Sequence, residues 1–560
     1  MQATNSMARA LFIHRAKEGA AFFRLVARFG DSGWYGGALV LAAFAATPLL
    51  VLLARLFMPE HGVWQHLAEN VLGDLVLNTV LLLGCIIPQT LVLGVGLGWL
   101  TGACEFPGRR FFAWALVLPF AVPPYVFAFV YLGMFDFGGP VQTALRAAFP
   151  AVGFIDIRNV SGVSFILSLA FYPYVYLMSR SAFMTQGRTA LEVARTLGQS
   201  PARAFFTVAL PMARPFIAAG LLLVCMETLA DFGAVSIFNY DTFTTAIYKA
   251  WFGMFSLSGA AQLSSVLVVF VLCLIVSEQF LRRRMRFSEA GRTNRSERLV
   301  LQGGWKWAAF SASLLVFIVS FALPCLQLAV WGAQALGDGV LRYVEYAFNT
   351  LLLGIGGTVI VVAAALLLAF ARKSHGGLFI NFSARIATLG YALPGTVLAV
   401  GIFIPAAWLD SQLLNVAERL TGLSFSPFVQ GSVGLLVGAY CIRFLAAGYG
   451  SVDSAMQRIT PSIGDAARSL GVTGFSMLGR VYLPMLKKGM ITAAILVLVD
   501  IMKEMPITLM MRPFGWDTLA VKLYEYTAEA EWQLAAIPAV ALIAAGVVPV
   551  LLLTKQMEEA

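Results

Sequence analysis

Twelve stretches of this chain are apolar over about twenty residues each, and they limit the fold more than any motif does. They lie near 34–57, 78–101, 111–135, 162–183, 213–232 and 261–281, then near 306–332, 349–371, 386–409, 431–449, 489–511 and 533–554. A bilayer core is about 30 Å thick, which about 20 helical residues cross. Within it every backbone N–H and C=O must be satisfied by the protein, so runs of this length are expected as helices. Composition agrees: 59% of residues are hydrophobic and 12% charged, against about 45–50% and about 25% in soluble domains. The fold class expected is an all-α polytopic membrane protein with about 12 transmembrane helices. A net charge of +10 does not make this a nucleic-acid binder, because the basic residues sit between the apolar runs rather than on one solvated face.

The runs divide six and six about a basic linker at 282–304 that carries Arg282, Arg283, Arg284, Arg286, Arg292, Arg295 and Arg298. Before the first run, residues 1–33 mix Arg9, Arg15, Lys17, Arg24 and Arg28 with Phe12, Phe22, Phe23 and Leu25. That pattern reads as an amphipathic helix on the membrane surface. The run after it is long enough to span and lacks a clear cleavage site, so a cleaved signal peptide is not expected. The divisions are 1–33, a first half at 34–281, the linker, a second half at 305–555 and a tail at 556–560. With the N-terminus inside, the inward loops hold most of the 39 Lys and Arg. By the positive-inside rule both termini are cytoplasmic.

The two halves are a tandem duplication. Glu192, Gly198 and Pro211 each have a counterpart 273 positions on, at Asp465, Gly471 and Pro484. Asn78-Thr79 and Pro123 recur 271 positions on, at Asn349-Thr350 and Pro394. Six runs per half give both halves the same orientation, which disfavours inverted-repeat carriers. Around Gly198 and Gly471 the sequence reads as helix, break and helix. Glycine stops the first helix, Ser200-Pro201 or Thr473 starts the second, and Thr460-Pro461 opens the first helix of the later copy.

This pattern resembles the cytoplasmic coupling loop of ABC-importer permeases: Glu-Ala-Ala, three residues, Gly, nine residues, Ile, any residue, Leu-Pro. The first copy, within 188–214, offers Glu192, Ala194, Gly198, Leu210 and Pro211; the second, within 460–487, offers Asp465, Ala466, Ala467, Gly471, Leu483 and Pro484. Val193 stands for the first Ala, Asp465 for Glu, and Val208 and Val481 for Ile. The resemblance implies two parallel six-helix repeats of the type I importer fold in a bacterial inner membrane. It implies as partners two copies of an ABC ATPase, a periplasmic binding protein and membrane lipid, with one permease chain per complex. No cofactor is expected on this chain, and ATP and magnesium would sit on the ATPase. The segments 226–235 and 242–251 resemble the fused permeases of ferric-iron importers, and related branches import thiamine, polyamines, sulfate or aminoethylphosphonate.

Glu227 and Asp231 share a helix face, as do Asp500 and Glu504 at 273 positions' remove. Carboxylates within a span line a pathway or pair with one another. On the first reading the four form a negatively lined cation path whose hard oxygens would transiently bind a hard metal. On the second they make structural contacts, with Lys503 neutralising a neighbour. Phe232, Phe238, Tyr240 and Trp251 read either as a cage for an organic cation or as an interfacial aromatic belt.

No phosphate-binding Gly-x-x-x-x-Gly-Lys-Ser/Thr loop occurs, so ATP hydrolysis by that route would need a separate subunit. The six cysteines show no CxxC spacing and the four histidines no metal-ligand spacing, so neither a disulfide framework nor an enzyme's metal site is expected. A stand-alone secondary cation transporter is the rival from another class. It would have no use for two ATPase-docking loops.

Overall fold

The computed structural model describes residues 33–58, 60–151, 153–185, 194, 196, 198–284, 298–335 and 342–559. Nearly all of 1–33, residue Glu192 and most of the basic linker fall outside this set. The described chain is almost entirely helical, with one two-stranded parallel pairing of Cys104–Glu105 on Leu299–Val300. There Glu105 meets Arg109 at 2.9 Å and Arg298 at 3.4 Å, which ties the end of the linker to the loop after the second span.

Among the described residues ten helices are long and apolar enough to cross a membrane, and an eleventh span arises if one bent pair is counted once. This differs from the twelve expected, for two physical reasons. The run at 111–135 is not one helix: Arg109–Ala121 and Pro124–Ala148 meet at 90°. Val122 and Pro123 between them are extended, with ψ of 118° and 143°, as expected of a proline and the residue it follows. The run at 489–511 is a helix, Leu483–Lys503, followed after a break by Pro506–Met511. Lys487, Lys488, Asp500 and Lys503 make it more polar than the others.

Contacts gather the chain into two compact units that do not follow the sequence halves. One comprises 1–47, 355–391 and 440–498, the other 48–354, 392–439 and 499–560. The first has a core of Trp34, Phe370, Met477, Tyr482 and their neighbours. The second has a larger core rich in aromatics, including Phe127, Phe129, Phe171 and Phe183.

In the second unit, helix Leu72–Ala103 lies along Val160–Thr185. Gly94, Gly98 and Gly102, four residues apart, allow this approach. A Cβ at Gly94 would stand 2.5 Å from Val175 Cβ, and one at Gly98 would stand 2.7 Å from Ser179 Oγ. Between helices in lipid there is no hydrophobic drive to associate, so close backbone packing of small residues carries the contact. Gly96, on the opposite face, has nothing within 4 Å. Gly98→Ala should therefore cost about 1–3 kcal/mol through overpacking and lower the thermal midpoint of the purified protein, while Gly96→Ala should leave it unchanged or raise it slightly.

Candidate functional site

The second helix–glycine–helix copy lies wholly within the described residues. Helix Pro461–Ser469 ends in a Schellman turn: the Gly471 N–H donates to the Arg468 carbonyl at 2.9 Å and the Val472 N–H to the Ala467 carbonyl at 2.9 Å. Gly471 takes φ of +77° with open space around it. The glycine is thus required by backbone conformation and not by crowding. Short helix Gly474–Met477, a π-turn at Leu478–Tyr482 and the long helix Leu483–Lys503 follow.

The first copy repeats this geometry at the same offset. The Gln199 N–H donates to the Ala194 carbonyl at 3.0 Å, and Gly198 takes φ of +82°. Helix Pro201–Ala204, a π-turn at Phe205–Ala209 and helix Leu210–Ala230 then match their counterparts residue for residue. Even the π-turns, which spoil one ladder bond each, are duplicated.

The expected residues divide into two faces. Ala194 and Ala467 are buried, Ala467 in the core of the first unit, whereas Asp465 and Ala466 are exposed with Leu470 and Phe475 beside them. Among the described residues Asp465 is ion-paired with Arg468 of the same helix alone, at 3.0 Å. Leu210 and Pro211, and Leu483 and Pro484, form the first turn of each long helix. Ser200 places its hydroxyl 3.4 Å from the Arg203 N–H. Thr460 and Thr473 stand at N-cap positions in extended conformation, but neither side chain bonds to a helix N–H, so these caps differ from the sequence expectation.

Each long helix then breaks at its carboxylate. Helix Leu210–Ala230 stops at Asp231, which is extended and whose Oδ2 accepts the Val235 N–H at 3.0 Å, so it caps the short helix Gly233–Ile237. At the equivalent place the Glu504 Oε1 accepts the Ile507 N–H at 3.0 Å and caps Pro506–Met511. Gly233–Ile237 packs on helix Pro124–Phe135, and Pro506–Met511 packs on helix Gly395–Thr421. The breaks after the long helices therefore rest on the proline breaks of 111–135 and 386–409.

The two halves meet at these breaks inside the second unit. The Tyr125 hydroxyl donates to the Lys503 carbonyl at 3.2 Å, and Lys503 Nζ donates to the Phe120 carbonyl at 3.2 Å. A Cβ at Gly233 would stand 2.9 Å from the Met505 methyl. Ser236 and the Tyr524 hydroxyl share a hydrogen bond of 2.7 Å. Lys503 is the residue that sequence comparison least prepares for, since its counterpart is Ala230.

Glu227 and Asp500 have other partners. The Tyr174 hydroxyl donates to Glu227 Oε1 at 3.1 Å, and Asp500 acts electrostatically on Lys503 three residues along its helix. Among the described residues no group of three or more His, Cys, Asp or Glu could hold a metal ion. The four carboxylates thus occupy equivalent places in the two halves without forming one coordination set.

The aromatics do not share a cage either. Phe232 and Phe238 are core residues; the Tyr240 hydroxyl donates to the Asn78 carbonyl at 3.0 Å, and Trp251 lies 4.7 Å from the Phe403 ring.

The segments after the breaks are pinned by a second duplicated contact. The Asn78 amide donates to the Asp241 carbonyl at 3.1 Å and the Asn349 amide to the Asp517 carbonyl at 3.2 Å. The repeated Asn-Thr pair was the sequence sign of it. Around Asp517 the second half adds an ion-pair network: Arg512 meets Asp517 and Glu525 at 2.6 Å each, and Lys522 meets them at 2.9 and 2.7 Å. Burial works to raise the Asp517 carboxyl, but Lys522 and Arg512 outweigh it and hold the group below the usual range. The first half has one exposed pair there, Asp241 with Lys249.

Comparison with known proteins accords with this arrangement. Residues 94–287 match the family described as "Binding-protein-dependent transport system inner membrane component". The chain is similar to the Fe(3+)-transport system permease protein FbpB 2 of Haemophilus influenzae, with 26% identity over 491 residues that cover 86% of this chain and 90% of the relative. It is also similar to the sulfate transport system permease protein CysW of Escherichia coli, 29% identical over 36% of this chain and 68% of the relative. A third relative, the molybdenum transport system permease protein ModB of Escherichia coli, is 28% identical over 36% of this chain and 90% of the relative. In its family match over 94–287 and in its multi-pass helical architecture, the chain is similar to the inner-membrane permease components of binding-protein-dependent transport systems.

Proposed function

We propose that this permease moves ferric iron into the cytoplasm by alternating access, powered by two copies of an ABC ATPase. The observation that carries the reading is the pair of coupling loops with the same left-handed glycine, the same turn-closing bond to a buried alanine and the same π-turn leading into a long helix. An identical unit presented twice suits two identical partners. ATP and magnesium would be held by the ATPases, this chain holding no cofactor, and a periplasmic binding protein would deliver the substrate. The distribution of Lys and Arg supports a cytoplasmic position for both termini.

Each long helix runs directly from a coupling loop to a carboxylate-capped break. Movement of a loop is thereby delivered to the place where the halves meet. The caps and proline breaks leave short segments whose backbone bonds are made by side chains, which can rearrange at lower cost than a continuous helix.

Ferric iron is favoured because the relative named for it aligns through both halves. Glu227, Asp231, Asp500 and Glu504 supply a negative balance along this path. An oxyanion is the second reading, favoured by the sulfate and molybdenum relatives and by Lys503 at the junction.

ATP-dependent uptake of radiolabelled ferric iron into proteoliposomes, with the ATPase and binding protein supplied, tests the proposal. Uptake that needs all three parts supports it; uptake of sulfate or molybdate in place of iron would reassign the substrate, and iron uptake without the ATPase would refute the coupling. A branched residue at the left-handed position costs about 1–2 kcal/mol, so Gly471→Val should lower stimulated ATPase activity roughly five- to thirtyfold while leaving helix content unchanged. Glu504→Ala, which removes a cap, should cost about 1 kcal/mol of stability. Glu504→Gln keeps an acceptor and should keep the thermal midpoint, yet lose iron uptake if the charge belongs to the path.

A further inference from the structure

A cavity of about 640 Å³ opens in the first compact unit, lined by Arg372, Phe379, Phe382, Arg385 and Tyr449 among others. It lies where the long helix Arg342–His375 ends and the amphipathic helix Leu378–Ala387 begins. This is the end of one span and the approach to the next, at the level of the membrane surface. No carboxylate lines it among the described residues.

The two arginines differ in how they are held. Arg372 Nε donates to Asn381 Oδ1 at 3.0 Å, and its Nη1 reaches the Tyr449 hydroxyl at 3.1 Å and Asp453 Oδ2 at 2.9 Å. An arginine has five N–H donors, so the Nη2 pair stays available. Arg385 is exposed, and among the described residues its guanidinium has no partner. Beside it Leu378 is 92% and Phe382 64% exposed. Cationic donors and bare apolar side chains thus share one recess.

The duplication provides an internal control. At the 271 offset, Arg372 and Arg385 correspond to Thr101 and Trp114, and at the 273 offset Tyr449 corresponds to Tyr176. In the first half the Thr101 hydroxyl donates to the Tyr176 hydroxyl at 3.0 Å, and Trp114 packs against a core that contains Tyr176. That core is roofed by the rings of Phe310 and Phe317, which lie 5.6 Å from Phe112 and 5.4 Å from Phe111. The site is closed by aromatic rings in the first half, which has Arg180 where the second has Asp453, whereas in the second half it is open and adds the exposed Arg385 to Arg372.

We propose that this recess binds an anionic phospholipid. The headgroup phosphate would bridge Arg385 and the free donors of Arg372, and the acyl chains would lie along Phe379 and Phe382. Phosphate suits the planar arginine fork, and basic pockets between spans are where anionic headgroups are held. A free anion would leave the exposed phenylalanines uncovered, so the lipid is the occupant that satisfies both surfaces.

The test is intact-mass measurement of the purified full chain titrated with phosphatidylglycerol or phosphatidylcholine of the same acyl chains. Phosphatidylglycerol should bind preferentially, and Arg385→Gln should weaken that binding roughly fivefold, about the contribution of one basic side chain at a lipid surface. Phosphatidylcholine binding and the thermal midpoint should not change. Arg385→Lys should retain most of the preference, and Arg385→Trp, which restores the first-half residue, should remove it. Equal binding of the two lipids, an Arg385→Gln variant that binds like the wild type, or displacement of the lipid by inorganic phosphate would overturn the proposal.

Discussion

A backbone group in hydrocarbon that is not hydrogen-bonded costs several kcal/mol, and this requirement governs how the chain can be interrupted. Among the described residues the apolar runs are interrupted at Val122-Pro123, at Leu393-Pro394, after Ala230 and after Lys503. Each of the last two interruptions is repaired by a carboxylate, Asp231 for the Val235 N–H and Glu504 for the Ile507 N–H. Lys503 and Tyr125 serve the Phe120 and Lys503 carbonyls across the halves. Asp231, Glu504 and Lys503 are therefore, first of all, the means by which irregular backbone is tolerated there. A role in passing a cation would be added to that one.

Much of this was legible in the sequence, and what was not has specific causes. The offset of 273 between Gly198 and Gly471 predicts a shared turn, and both residues take the left-handed conformation that glycine accepts. Glu504 before Pro506 and Asp231 before Gly233 carry the local spacing of caps, although their position within apolar runs pointed equally to a path. The 90° bend at Pro123 was hidden because a hydropathy run does not register a change of direction. The reach of Lys503 to Phe120 joins residues 383 positions apart and has no counterpart in the first half, so neither local pattern nor the repeat could reveal it. The spacing of Gly94, Gly98 and Gly102 was visible, but only the facing Val175 and Ser179 give it meaning.

Duplication also shows where the halves have parted. The coupling loops and the capped breaks are kept in geometry, whereas the ends of the second and eighth spans have diverged from Thr101 and Trp114 to Arg372 and Arg385. The outer segments differ as well, with a four-member ion-pair network around Asp517 against a single pair at Asp241. Conserved elements lie along the line from loop to break. Differences lie at its periphery, where lipid and solvent are met.

The central claim is that one chain carries two equivalent docking surfaces. Native mass spectrometry of the complex purified through this 60.4 kDa chain tests it most directly. One permease chain with two ATPase subunits is the composition this account predicts. Two permease chains per complex, or a single ATPase bound to one chain at saturating ATPase concentration, would contradict it.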